Sequence, residues 1–269
     1  MDCRVCKQNS FELLIDFGKH PIVHNLSKRK EEAQEKHAFR LGYCNKCNFI
    51  GLMECIDPNN FYQNYLTPSE WKNEPHLPRL VNLIKDLMGA THKATILDIG
   101  CNDGKFLERL KKEGFKKIFG IEPSENSYQA ALSKGLKVNK AFFNKKIAGE
   151  VYSKGFFDLV VTRQVLEHIS NLDDFMEGVN LIIKDNGCLV IEIPDSEWNL
   201  DYLDYALWEE HINYFTLNTI STLLRKHSFE IFHHEVTLFA GKALTVSVSY
   251  THLRAHETEA DLVCRLLLE

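Results

Sequence analysis

The segment Ile96–Gly104 has the residue types of a ligand-binding corner. An apolar run is followed by a turn with two glycines and then by apolar residues at helical spacing from Lys105, which predicts a strand, a tight loop and a helix. Glycine lets the backbone come close to a ligand, and the first turn of a helix has free N–H groups. Gly100 and Gly104 do not complete the dinucleotide fingerprint G-x-G-x-x-G, because Asn102 and Lys105 occupy the positions of its second and third glycines. A nicotinamide cofactor is therefore disfavoured.

The acidic residue Glu122 stands at the end of the next predicted strand, and Asp98 stands near the end of the first. The run Lys117–Glu122 ends in this carboxylate, about 20 residues after the first strand, where the ribose-binding acid of nucleotide sites occurs. A carboxylate has two oxygens and can accept hydrogen bonds from both ribose hydroxyls. The alternative for Glu122 is an acid exposed at a strand end, but the corner upstream is in the correct register and favours the binding function.

Four of the eight cysteines form two C-x-x-C pairs, Cys3 with Cys6 and Cys44 with Cys47. Thiolates at this spacing can point at one ion, and two such pairs indicate a tetrahedral zinc site. A site closed by four thiolates has no open position, so the zinc is predicted to be structural. A redox C-x-x-C would need only one pair, and disulfides are disfavoured in the reducing compartment that we expect.

Composition and charge restrict the class of protein. The chain has 269 residues, of which 44% are hydrophobic, and this is enough for one large or two modest domains. The net charge of −5 gives no long-range attraction to polyanions, so nucleic acid is not an expected partner. No apolar run reaches the ~20 residues that span a bilayer, and the N-terminus has no signal-peptide core. We therefore expect a cytoplasmic protein without a membrane partner.

The motifs divide the chain into predicted units. Residues 1–57 form a zinc-binding module, residues 58–78 a proline-punctuated linker, and residues 79–248 alternate between strands and helices. This alternation predicts an α/β fold with a doubly wound, Rossmann-like parallel sheet, a closing hairpin, and ligands at the carboxyl ends of the strands. Residues 249–269 resemble read-through of a sequencing adaptor and are interpreted as an assembly artefact, the alternative being a native amphipathic helix.

The corner resembles the glycine-rich signature D/E-x-G-x-G-x-G of class I S-adenosylmethionine-dependent methyltransferases, with Asn102 in place of the middle glycine. Together with the two C-x-x-C pairs, the stretches Glu122-Pro123, Val165–Ile169 and Trp208–Phe215 resemble a more specific family. This more specific family is that of the sugar-nucleotide C-methyltransferases, which methylate C3 of TDP-linked keto-deoxysugars. The resemblance covers residues 1–248 and implies that a C-terminal domain, which helps hold the sugar nucleotide, is missing.

The resemblance also implies which residues hold the cofactor S-adenosylmethionine. Gln164 would lie near its methionine part, and Phe142 or Phe143 would border the adenine, with a place in the core as an equal alternative for both phenylalanines. The implied cofactor-binding residues are Asp98, Gly100, Cys101, Asn102, Gly104, Glu122, Phe142 and Gln164.

Carbon is a poor nucleophile until it loses a proton, so a C-methyltransferase needs a base beside a ketone, and loss of the proton gives an enolate. Histidine suits this role because its ordinary pKa of about 6.5 leaves it largely neutral at pH 7. The resemblance implies His211 as the base, Glu210 as a contact to a substrate hydroxyl or to the histidine, and His168 as a second polar contact. A structural role is an equal alternative for His168. Trp208 stands where the family has a tyrosine, and an indole cannot act as a phenolic acid or acceptor.

Three other functions stay open. The same cofactor domain could O- or N-methylate a different small metabolite or a glycan, since oxygen acceptors also use a nearby base. A zinc-bearing RNA methyltransferase is disfavoured by the acidic net charge. The non-enzymatic alternative is a zinc-knuckle binding module on a scaffold that does not bind S-adenosylmethionine.

Overall fold

The computed structural model of the chain describes residues 1–22, 35–59, 74–89, 92–202, 207–239 and 241–250. Most of the predicted linker and residues 251–269 of the predicted artefact lie outside these described residues. The strands, in chain order, are β1 (Phe11–Pro21), β2 (Lys36–Cys44), β3 (Ile50–Leu52), β4 (Thr95–Ile99), β5 (Lys117–Ile121), β6 (Val138–Asn139), β7 (Phe157–Arg163), β8 (Ile183–Pro194), β9 (Asn213–Tyr214), β10 (Phe229–Thr237) and β11 (Ala243–Tyr250). The helices are α1 (Leu77–Met88), α2 (Lys105–Lys112), α3 (Glu125–Ser133), α4 (Lys145–Val151), α5 (Leu172–Ile182), α6 (Ser196–Asp201) and α7 (Leu217–Lys226), and a 3₁₀ turn spans Leu166–His168.

Seven strands form one sheet in the order β10-β11-β8-β7-β4-β5-β6. The strands from β8 to β6 run parallel, whereas β11 and β10 form the antiparallel hairpin at the other edge. The chain order of the strands reverses between β4 and β7, and ligands of such sheets bind at the carboxyl ends of the strands beside the reversal. The predicted doubly wound α/β fold is confirmed.

Apolar side chains cover both faces of the central strands. In β4, Leu97 and Ile99 belong to one core cluster and Ile96 belongs to the other, while Asp98 is also fully buried. Strands covered by helices on both faces have no polar face, which explains why their sequences are nearly continuous apolar runs.

Several element boundaries differ from the sequence prediction. The third strand of the parallel sheet has only two residues, Val138–Asn139, and it follows a turn at Gly135, which has a φ of 68°. Helix α1 begins at Leu77 rather than Arg79 and includes Pro78 in its first turn. Proline is tolerated there because the N–H groups of the first turn have no acceptor within the helix, so the N–H that proline lacks costs no hydrogen bond. Strand β11 continues through Tyr250, so two residues assigned to the predicted artefact pair with the sheet.

The N-terminal module forms a second, antiparallel sheet in the order β1-β2-β3-β9. Strand β9 comes from the second half of the chain, so residues far apart in sequence complete this sheet. The rings of Phe49 and Phe215 pack with centroids 5.9 Å apart and join the core of the module to the core of the larger sheet. No described helix combines the length and the apolar composition that a membrane span requires.

Candidate active site and metal centre

The loop between β4 and α2 is a tight turn held by an acid from the neighbouring strand. Gly100, Asn102 and Gly104 have φ angles of 73°, 50° and 77°, all in the left-handed region that favours glycine. Oε2 of Glu122 accepts a hydrogen bond from the backbone N–H of Asn102 at 2.9 Å, and its Oε1 accepts from Ser124 N–H at 2.8 Å. The two halves of the predicted cofactor corner therefore face each other and are in contact.

The glycines of this turn also make room for the protein's own side chains. A Cβ at position 100 would lie 2.4 Å from Cγ2 of Val165, and a Cβ at position 104 would lie 2.2 Å from Cδ1 of Leu136. The left-handed backbone favours glycine at both positions, and these contacts leave little room for a side chain. The close approach to a ligand that the sequence suggests stays a prediction.

Two buried carboxyls lie at the corner. Asp98 is fully buried, and burial raises its pKa to about 7, although the Arg163 guanidinium 3.9 Å away lowers it. Burial also raises the pKa of Glu122 to about 7, against the two backbone N–H groups that favour its ionised form. Neither oxygen of Asp98 accepts a hydrogen bond from the described residues. A ligand with hydroxyl or ammonium donors would supply the missing partner, so the donor and acceptor chemistry of the corner fits S-adenosylmethionine.

None of the sequence motifs predicts a buried group of charged side chains that borders Asp98. Nη1 of Arg163 lies 3.4 Å from Oε1 of Glu74, and Nε2 of His76 lies 3.3 Å from Oε1 of Glu192. Glu192 stands inside the apolar run of β8, and a charged residue in a buried strand is the sequence signal that could have indicated this group.

The remaining predicted cofactor residues differ in what their side chains contact. Gln164 follows β7 with a φ of 52°, and its Nε2 donates no hydrogen bond to the described residues. Phe143 packs edge-on against Phe175 in the core, whereas Phe142 is 39% exposed, so only Phe142 keeps a ring surface for a ligand. The Cys101 thiol is buried against Gly120, where a Cβ would lie 2.5 Å from its sulfur. Cys101 can therefore contribute to a ligand site through its backbone.

The structure places the two predicted catalytic histidines side by side. The ring centroids of His168 and His211 are 4.9 Å apart, and the ring planes meet at 75°. Nδ1 of His168 lies 3.0 Å from the carbonyl oxygen of Glu210. A carbonyl can only accept, so we assign a proton to Nδ1. The Trp208 indole packs edge-on against His211 with centroids 5.0 Å apart.

The environment of His211 keeps its imidazole neutral. Burial lowers the pKa of His211 well below its ordinary value, and the neighbouring His168 lowers it further. Glu167 is 1% exposed, burial raises its pKa to about 8, and its carboxylate accepts no hydrogen bond from the described residues. Glu167, His168 and His211 each have a potential ligand atom within 4.8 Å of the others. The group could therefore exchange protons or hold a metal ion.

The four paired cysteines meet at one point of the N-terminal module. Sγ of Cys3 lies 3.7 Å from Sγ of Cys47, Sγ of Cys6 lies 3.6 Å from Sγ of Cys44, and all four sulfurs are within 4.8 Å of one another. A tetrahedron with Zn–S bonds of about 2.3 Å has S···S edges of about 3.8 Å, so the cluster fits zinc. Burial raises the pKa of Cys44, but hydrogen bonds from Ser10 Oγ and from backbone N–H groups outweigh it and bring the pKa to about 6. None of the four forms a disulfide.

A small, open pocket lies where the module meets the larger domain. The module contributes Cys55, Ile56 and Pro58, and the larger domain contributes His168, Glu210 and Ile212 among others. Both parts of the chain therefore line the space beside His168.

Two family models match different parts of this chain. A family model described as "Methyltransferase domain" matches residues 71–234, more than half of the chain, and a model described as "Putative zinc binding domain" matches residues 3–62. The C-methyltransferase NovU of Streptomyces niveus is 25% identical over 86% of this chain and 56% of its own length. A ubiquinone biosynthesis O-methyltransferase of Rickettsia canadensis is 24% identical over 60% of this chain and 62% of its own. The chain thus spans less than two thirds of these relatives.

Solved structures show the same fold. A 1,6-didemethyltoxoflavin-N1-methyltransferase of Burkholderia thailandensis with bound S-adenosylhomocysteine has a TM-score of 0.55 at 14% identity, covering 78% of this chain and 98% of its own. A SAM-dependent methyltransferase of Archaeoglobus fulgidus has a TM-score of 0.53 at 17% identity, covering 67% of this chain and 96% of its own. The glycine-containing turn after β4, the parallel sheet and the cysteine cluster all agree with these matches. This chain belongs to the S-adenosylmethionine-dependent methyltransferases and carries an N-terminal zinc-binding domain.

Proposed function

We propose that the protein methylates a carbon atom of a nucleotide-linked keto-deoxysugar through an enolate. The observation that carries this proposal is the pair His168 and His211, which follow β7 and β8 in the chain and lie side by side, with His211 half-buried and its pKa lowered. Methylation of carbon needs such a base, because the C–H bond must first be broken. The similarity to a relative named as a C-methyltransferase supports the same reaction.

The corner residues hold the cofactor. The oxygens of Glu122 already accept from Asn102 and Ser124, and their second lone pairs are available for ribose hydroxyls. Gln164 contacts the methionine part, and the exposed ring of Phe142 borders the adenine. When bound, S-adenosylmethionine supplies an electrophilic methyl group, which the acceptor carbon takes as the S–CH₃ bond breaks.

His211 accepts the proton from the carbon next to the ketone. The C–H bond breaks, its electron pair forms the enolate double bond, and the proton moves to the neutral imidazole. The Glu167 carboxyl has an oxygen within 4.8 Å of a His211 ring nitrogen. Because burial raises the pKa of Glu167 to about 8, this carboxyl carries a negative charge that favours the imidazolium only above that pH. His168, with Nδ1 fixed by the Glu210 carbonyl, presents Nε2 as a second polar contact to the substrate.

The four thiolates of Cys3, Cys6, Cys44 and Cys47 hold the structural zinc. The metal has no open coordination position in this arrangement, so no chemical step uses it.

The test separates proton removal from methyl transfer. The protein is incubated in D₂O with S-adenosylhomocysteine and a panel of nucleotide-linked keto-sugars, and exchange at the carbon next to the ketone is followed by NMR. We expect exchange with one or more sugars, and we expect His211→Asn to abolish it. A second incubation with methyl-labelled S-adenosylmethionine should place the label on the exchanging carbon. The proposal fails if the whole panel shows neither exchange nor carbon-bound label.

O-methylation of a small metabolite is the second candidate, because relatives named as ubiquinone biosynthesis O-methyltransferases match the same domain. Phenolic acceptors with labelled S-adenosylmethionine distinguish it. Label on oxygen, without exchange of any carbon-bound proton, would favour this function.

A further inference from the structure

We propose that Arg4 is a positioning residue that fixes the positions of His168 and His211 relative to each other. Arg4 stands between Cys3 and Cys6 in the first cysteine knuckle, so the zinc cluster fixes its backbone on both sides. The importance of the two histidines rests on the proposed function. The contacts that connect Arg4 to the two histidines are observed in the structure and do not depend on the proposed function.

The guanidinium of Arg4 binds the segment that follows His211. Its Nε donates to Oδ1 of Asn213 at 3.0 Å, and its Nη2 donates to the carbonyl oxygens of Ile212 at 2.7 Å and Leu52 at 2.5 Å. The donors of a guanidinium have a fixed planar geometry, so three such bonds define where residues 212–213 lie relative to the knuckle.

Asn213 connects the Arg4 guanidinium to the turn that carries His168. Its Nδ2 donates to the carbonyl oxygens of Leu166 at 2.9 Å and Ile169 at 2.8 Å, which flank the histidine in sequence. The N–H of Ile212 also donates to the carbonyl oxygen of Glu167 at 2.9 Å. The residues next to both histidines are thus held by one hydrogen-bonded network with Arg4 at its end.

Gly51 shows that the chain makes room for this network. A Cβ at position 51 would lie 2.7 Å from Nη2 of Arg4, 2.7 Å from the carbonyl oxygen of Ile212 and 2.9 Å from the ring of Phe49. Its φ is not in the left-handed region, so the requirement for glycine comes from the space that Arg4 and Ile212 occupy.

The test compares Arg4→Met and Arg4→Lys with the control Arg40→Met. Arg40 lies in the same module and pairs with Glu54, but no contact found among the described residues connects its side chain to the histidine network. In protein labelled with ¹⁵N-histidine, we expect both Arg4 variants to shift the imidazole signals of His168 and His211, while Arg40→Met leaves them in place. Zinc content should stay at the wild-type value.

Kinetics give the second readout. If the chain transfers methyl groups as proposed, Arg4→Met should lower kcat about 100-fold and change the KM for S-adenosylmethionine less than about twofold, because a displacement of about 1 Å in a catalytic group costs this much. The imidazole signals report ring positions even if no sugar nucleotide is accepted, so failure of the proposed function is seen separately.

Asn213→Asp covers the case in which Arg4→Met loses zinc. The aspartate keeps an acceptor for Arg4 but removes the donors to Leu166 and Ile169, so the His168 signals should shift while zinc stays bound. Unchanged imidazole signals in zinc-loaded Asn213→Asp and Arg4→Lys would overturn the inference.

Discussion

The backbone N–H of Asn102 donates to Oε2 of Glu122 at 2.9 Å, so the acid after β5 holds the turn after β4. The same carboxylate accepts from Ser124 N–H through its other oxygen. These bonds stabilise the left-handed backbone of Asn102, which has a φ of 50°. A residue with a Cβ adopts this conformation less readily than glycine does. Glu122 therefore has two functions at the corner, as a support for the turn and as a candidate ligand of the ribose.

Glu122→Gln should weaken binding of S-adenosylmethionine. An amide has one acceptor oxygen and an NH₂ group, and that group would face one of the two backbone donors that Glu122 now accepts. One buried donor is left without a partner and a ribose hydroxyl loses its acceptor, so we expect a loss of affinity of about 10- to 100-fold by calorimetry. The control is Glu125→Gln, an exposed neighbour that pairs with Lys140. Equal affinities in the two variants would show that Glu122 does not contact the ligand.

The part of the folding stability that comes from three buried carboxyls should fall as the pH rises from about 6.5 to 8.5. The folded-state pKa values of Asp98 and Glu122 are raised to about 7, and that of Glu167 to about 8. A carboxyl with a raised folded pKa contributes stability that is complete below its unfolded pKa of about 4 and is lost as the pH rises through the folded value. Asp173, whose folded pKa is lowered to about 2 by Lys226, Lys7 and His227 against the effect of burial, is already ionised throughout this window.

Urea unfolding at several pH values checks the sign. Asp98→Asn removes one of the three titrating carboxyls, so its unfolding free energy should depend less steeply on pH than that of the wild type. An Asp98→Asn protein whose unfolding free energy depends on pH as steeply as that of the wild type would contradict the prediction.

The sequence predicts the parts of this site that depend on neighbours along the chain. The apolar runs of β4 and β7 indicate buried parallel strands, and the two C-x-x-C pairs indicate one metal cluster, because each pattern follows from local geometry. The bond from Arg4 to Asn213 joins residues 209 positions apart, and no local pattern encodes it. The two-residue strand β9 is too short to have a recognisable period, and its place in the sheet depends on tertiary contacts alone.

The zinc content should be one ion per chain. Cys44→Ser should abolish binding of that ion, because the tetrahedral site loses one of its four thiolates, whereas Cys55→Ser, at an exposed cysteine outside the cluster, should not. Elemental analysis of the purified variants measures both. A second ion that disappears in Glu167→Gln would mean that Glu167, His168 and His211 bind metal, and His211 could then not act as the base.

His211→Asn should abolish methyl transfer while S-adenosylmethionine still binds. Loss of a general base costs about 10²- to 10⁴-fold in rate, whereas His211 has no predicted contact with the cofactor. The control His233→Asn changes a histidine of β10 whose side chain is 44% exposed, and it should keep full activity. The base must be neutral to act, and the pKa of His211 is lowered by burial and by His168, so the wild-type rate should stay high as the pH falls below 6.5. A rate that is already half lost at pH 6.5 or above, or turnover that survives in His211→Asn, would assign the base to another residue.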